Sequence, residues 1–137
     1  MIYRLLKRIG IGLIPKELFA IYESEGIVCY DETLYCSLTC KEYDENKKYF
    51  TKSRKRFIGS LLITNKRFVV FSSNEDILNL QFGNKDSGCV IDSTLRKLKV
   101  VLAEYTHGKK RLKNYKLIIH HTTAPQIHSI LTKLMFQ

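Results

Sequence analysis

The sequence predicts a mostly β protein, about seven strands followed by one C-terminal α-helix. Three observations predict it. Apolar residues recur with a period of two at Leu34, Cys36, Leu38 and Cys40, against Thr33, Tyr35, Ser37, Thr39 and Lys41. Two β-rich runs, Phe57-Ile58-Gly59-Ser60-Leu61-Leu62-Ile63 and Phe68-Val69-Val70-Phe71, flank the turn-forming Thr64-Asn65-Lys66-Arg67. A helical period returns only near the end, at Ile127, Ile130, Leu131 and Leu134. With 137 residues there is room for one core, and 45% hydrophobic against 26% charged residues excludes a wholly disordered chain.

In chain order, residues 1–14 form a basic, apolar appendage to a single domain over 15–137. Arg4, Lys7 and Arg8 interrupt a row of Ile, Leu and Tyr there, a pattern that suits a short amphipathic helix packed on the domain or lying on a membrane. The uncharged run from Ile9 to Pro15 is too short for a signal peptide's apolar core or a membrane span. Pro15 suits a helix N-terminus, and Leu18, Phe19, Ile21 and Tyr22 allow a turn or two of helix before Gly26 stops it.

The first strand follows and ends at Asp44-Glu45-Asn46, where a polar, basic connection runs to Arg56. The 57–71 hairpin comes next. Asn74-Glu75-Asp76 is a turn signal, and Leu78, Leu80 and Phe82 alternate with Asn79 and Gln81 as a further strand. Gly83 to Gly88 reads as loop, Val90-Ile91 as a short strand, and 98–106 with 112–121 as a second hairpin turning at His107-Gly108-Lys109. Thr123-Ala124-Pro125-Gln126 matches a capping box with proline in the first turn, so residues 124–135 form an amphipathic helix that must bury its stripe on the sheet. The expected core is Leu34, Cys36, Leu38, Leu61, Ile63, Val70, Leu80, Val100, Ile130 and Leu134.

The stretch Gly59-Ser60-Leu61-Leu62-Ile63-Thr64-Asn65-Lys66-Arg67-Phe68-Val69-Val70-Phe71-Ser72 resembles the hairpin motif of GRAM domains and of bacterial pleckstrin-homology-like proteins. Cys36-Ser37-Leu38 is similar to the Cys-x-Leu that precedes that hairpin in GRAM domains. The resemblance covers roughly residues 18–135, with motif support between about 32 and 72. It implies a partly open antiparallel barrel or sandwich of about seven strands, capped at one end by the helix. It also implies a binding module rather than an enzyme.

The residues themselves agree with a non-catalytic reading. There is no Gly-x-Ser-x-Gly, no phosphate-binding glycine loop and no His-Glu-x-x-His. His120 and His121 are adjacent on a strand and point to opposite faces, while His107 and His128 stand apart. Cys29, Cys36, Cys40 and Cys89 form no Cys-x-x-Cys pair, which argues against zinc and for packing in a reduced, cytoplasmic setting. No cofactor or metal is called for.

The positive signal is charge: 23 Lys+Arg against 13 Asp+Glu give a formal +10, which draws the protein toward anionic surfaces. Lys47, Lys48, Lys52, Arg54, Lys55 and Arg56 concentrate that charge where the resemblance puts phosphate-gripping residues. Lys offers a mobile point charge and Arg a bidentate fork, and Lys52, Arg54 and Arg56 fall on one side of an extended strand. The expected ligand is an anionic membrane lipid headgroup, or a protein partner at a membrane surface, with peripheral membrane association. A protein-recognition adaptor without lipid is the first alternative. The second is single-stranded nucleic acid, held by Lys109, Lys110, Arg111, Lys113 and Lys116 with Tyr115 interleaved.

Overall fold

The computed structural model describes residues 11–44, 49–72, 75–83, 89–106 and 111–136. Helix α1 (Lys16–Glu23) leads into strands β1 (Ile27–Asp44), β2 (Tyr49–Thr64), β3 (Arg67–Ser72), β4 (Glu75–Gln81), β5 (Cys89–Ser93), β6 (Lys97–Thr106) and β7 (Arg111–His120), and helix α2 (Ala124–Met135) ends the chain. The strands lie in one sheet in the order β4-β3-β2-β1-β7-β6-β5, and every described pairing is antiparallel. The mostly β architecture with a C-terminal helix is therefore as the sequence predicts. The long strands contribute to two compact units, one drawn from residues 1–35, 57–84 and 129–137 and the other from 36–56 and 85–128.

In the first unit β2 and β3 are buried on both faces. Leu61, Ile63, Phe68, Val70, Leu78 and Leu80 line one face, while Leu62, Val69 and Phe71 on the other join Ile14 and Tyr22 in a second cluster. Continuous apolar runs such as Leu61-Leu62-Ile63 are the sequence mark of a strand covered on both sides. The cover is α1 with its approach segment. Residues 11–14 are tied to β1, because Thr33 donates its N–H to the Gly12 carbonyl at 2.8 Å and its hydroxyl to the Ile11 carbonyl at 3.0 Å. The Ile14 N–H also reaches Glu32 Oε2 at 2.8 Å. These bonds hold Thr33 at a φ of 59°, a left-handed conformation rare for a β-branched residue. Gly59 is obligatory on packing grounds, since a Cβ there would collide with the Phe71 carbonyl oxygen.

In the second unit β1 continues from Cys36 alongside β7, followed by β6 and β5. Strand alternation gives it a dry face, where Cys36, Ile119 and Leu98 form one fully buried row and Leu117 and Val100 lie in the next. The opposite face is more open, with Lys41, Lys97, Lys99 and Lys116 exposed, although Ser37 on it is buried. Helix α2 contributes residues 124–128 to this unit and its remainder to the first; in it Ala124, Ile127 and Leu131 are buried, whereas the expected Ile130 and Leu134 are only half-buried. The helix is thus turned so that its smallest side chain, Ala124, and not Leu134, completes the buried stripe. Leu34 and Leu38 are likewise half-buried.

Candidate functional site

The basic segment expected as a connection is strand. β2 begins at Tyr49 and runs unbroken to Thr64, so Lys52, Arg54, Lys55 and Arg56 are held on an extended backbone. Lysine and arginine are not strong strand formers, but Tyr49, Phe50 and Thr51 ahead of them are, and pairing beside β1 settles the conformation. Alternation sets Lys52, Arg54 and Arg56 on one face and Lys55 on the other. All four side chains are exposed, and none of them pairs with an acidic group among the described residues. Lys47 and Lys48 lie outside the described residues.

The second basic patch is divided by its strand. Lys116 is exposed, while Tyr115 next to it turns to the opposite, drier face beside Leu102 and Cys40. Arg111 and Lys113 occupy β7 positions in register with Asp44 and Glu42 on β1 and with Thr106 and Glu104 on β6. Lys109 and Lys110 lie outside the described residues. Tyr115 and the Lys116 ammonium therefore do not share a surface.

A feature that sequence reasoning missed lies at the β2–β3 turn. Arg67 forks onto Glu25, Nε to Oε1 at 2.9 Å and Nη2 to Oε2 at 2.8 Å. Thr64 donates its hydroxyl to the same Glu25 Oε1 at 3.0 Å and accepts the Lys66 and Arg67 N–H groups at 3.1 Å each. Arg67 also lies 5.4 Å above the Tyr22 ring. The Asn65 N–H bonds the Gly26 carbonyl at 3.0 Å, and Gly26 at φ 82° leaves no room for a Cβ beside the Asn65 amide. The Thr-Asn-Lys-Arg motif is accordingly a clamp between the end of α1 and the hairpin. The legible signal was a charged motif inside an apolar hairpin, with an acidic residue at the α1–β1 junction.

Two open clefts lie in this unit, the first bordering the clamp. One of about 360 Å³ is lined by Asn65, Lys66, Arg67, Gln81 and Phe82. The other, of about 440 Å³, lies between α1 and the start of β1, lined in part by Phe19, Tyr30, Lys16 and Glu23. Phe19 and Tyr30 meet edge to face there at 5.0 Å.

Burial pushes the pKa of the Cys89 thiol up to about 11, and burial with the nearby Asp31 carboxylate raises that of Cys29. Partial burial, then the neighbouring Lys97 ammonium, lowers His120 from its usual 6.5. His128 Nδ1 lies 2.9 Å from the Ser93 hydroxyl, and His121 Nδ1 accepts the Thr123 N–H at the start of α2. Among the described residues no group of three His, Cys, Asp or Glu is placed to hold a metal ion. No described helix is long and apolar enough to cross a membrane.

Compared with known proteins, the chain matches no family model, and no curated protein matches it.

Proposed function

We propose that the protein is a non-catalytic binding module of the pleckstrin-homology-like type that engages anionic phospholipid headgroups at a membrane surface. The observation that carries this reading is the run Lys52, Arg54, Lys55 and Arg56 on β2, four exposed cations without a described acidic partner. A strand fixes their spacing. A cationic array with no acidic partner among the described residues, in a chain of net charge +10, favours a polyanionic partner, and each basic residue near an anionic leaflet contributes about 1 kcal/mol. The turn of Tyr115 away from Lys116 weighs against the single-stranded nucleic-acid alternative, which needs ring and cation on one surface.

Co-sedimentation with neutral, phosphatidylserine-containing and phosphoinositide-containing vesicles tests the reading. Wild type is expected to sediment with the anionic vesicles only, and the Arg54→Ser, Lys55→Ser, Arg56→Ser triple variant to stay in the supernatant. Binding should fade as salt rises, because the Debye length is only about 8 Å at physiological ionic strength. A wild type that ignores every vesicle at low salt sinks the lipid reading and leaves the protein adaptor in front.

A further inference from the structure

We propose that the lysine-bearing sheet face of β1, β7 and β6 is the surface on which the protein lies flat against an anionic lipid bilayer. This deepens the headgroup-binding reading and rests on it. The difference is one of geometry: a plane of charge meets a plane of charge, in place of a few cations gripping one headgroup.

The strand register assembles that face row by row. Asp92, Lys99, Ile118 and Ser37 form one row across β5, β6, β7 and β1. Val90, Val101, Lys116 and Thr39 form the next, Asn114 and Lys41 follow, and Lys97 stands beside His120 at the other end. Lys97, Lys99, Lys116 and Lys41 therefore run as a diagonal stripe over three strands, and all four are exposed. Asp92 is the one carboxylate among the described side chains of these rows.

Lys99 and Lys116 are diagonal neighbours across β6 and β7, as are Lys116 and Lys41 across β7 and β1. Like charges that close on one face repel, and a polyanionic plane relieves the repulsion. Burial first, and then the Lys97 ammonium beside it, lowers the pKa of His120 at that end of the face.

β2 flanks β1 on the side away from β7. That neighbouring strand carries the exposed Lys52, Arg54, Lys55 and Arg56. Between the lysines lie aliphatic groups, with Val90 63% exposed and Val101 and Ile118 half-buried. Apolar groups among cations suit the headgroup layer of a bilayer, where both kinds of contact are available. Charge density, not headgroup stereochemistry, is what such a plane reads.

Binding to phosphatidylcholine vesicles doped with phosphatidylserine or with phosphatidylglycerol, at equal anionic mole fraction, tests the proposal. Equal affinity for the two is expected, and a strong preference for one overturns it in favour of a headgroup pocket. The Lys41→Ser, Lys99→Ser, Lys116→Ser variant should lose about fivefold in partitioning for each lysine removed. A control variant with Lys16→Ser, Lys66→Ser and Lys133→Ser, exposed positions off this face, removes the same charge and should bind nearly as wild type does. Equal losses in the two variants mean adsorption by net charge and overturn the proposal. Undiminished binding of the face variant, with loss in the Arg54, Lys55, Arg56 variant, overturns the flat face while the headgroup-binding reading stands. Absence of wild-type binding defeats both. Tighter binding to a single-stranded oligonucleotide than to vesicles of matched charge rejects the bilayer as partner. Circular dichroism and thermal melting of each variant separate lost binding from lost folding.

Discussion

The Glu25 carboxylate joins three parts of the first unit at one point: the exit of α1, the start of β1 and the β2–β3 turn. Its two oxygens take the Arg67 fork and the Thr64 hydroxyl, and Thr64 in turn holds two turn N–H groups. The pair is well sheltered, with Glu25 and Arg67 side chains 14% and 22% exposed, so its loss is not cushioned by water as at an open surface. Glu25→Ala should therefore cost roughly 1–3 kcal/mol in denaturant unfolding, most of it from stranding Arg67 and the Thr64 hydroxyl. The Glu25→Ala, Arg67→Met double variant should lose less than the sum of its singles, because the stranded charge has gone. A Glu25→Ala change within about half a kcal/mol would show a solvated pair that clamps nothing.

Helix α2 shows how an element can be right in kind and turned in detail. Its helical period was legible from Ile127 onward, yet several apolar residues in its twelve positions allow more than one buried stripe. The structure selects Ala124, Ile127 and Leu131. Leu131→Ala is thus expected to cost about 2–5 kcal/mol and Leu134→Ala clearly less, since a half-buried side chain leaves a smaller cavity. Equal losses in thermal or urea unfolding would contradict the observed rotation. The strands divide in the same way. Leu61, Ile63 and Val70 were legible as core from alternation, whereas Leu62, Val69 and Phe71 on the reverse face depend on a cover about 40 residues earlier that no local pattern reveals. The cations of β2 were legible as a cluster but not as a strand, because their conformation comes from pairing, not propensity. The lysine stripe was less legible still, since Lys41, Lys99 and Lys116 are far apart in sequence and meet only through register.

At the scale of the whole molecule, a formal charge of +10 sets positive groups against one another in the folded state. Among such contacts are the lysine diagonals over β6, β7 and β1, which are solvent-exposed and so respond to salt. The Debye length shrinks from about 30 Å at 0.01 M to about 10 Å at 0.1 M, which removes repulsion between positions further apart than direct neighbours. Unfolding separates the same charges, so screening favours the folded state. The sheltered Glu25–Arg67 pair is attractive and would weaken with salt, but it is a single contact and is screened less than exposed charges are. The repulsive sum should win. Melting temperature is therefore expected to rise as sodium chloride increases from about 0.01 to 0.1 M, and to rise less in the Lys41→Ser, Lys99→Ser, Lys116→Ser variant, whose repulsion has been cut in advance. A melting temperature that falls over this range would mean that attractive pairs dominate the fold's electrostatics, and a rise of the same size in the variant would place the repulsion elsewhere than on this face.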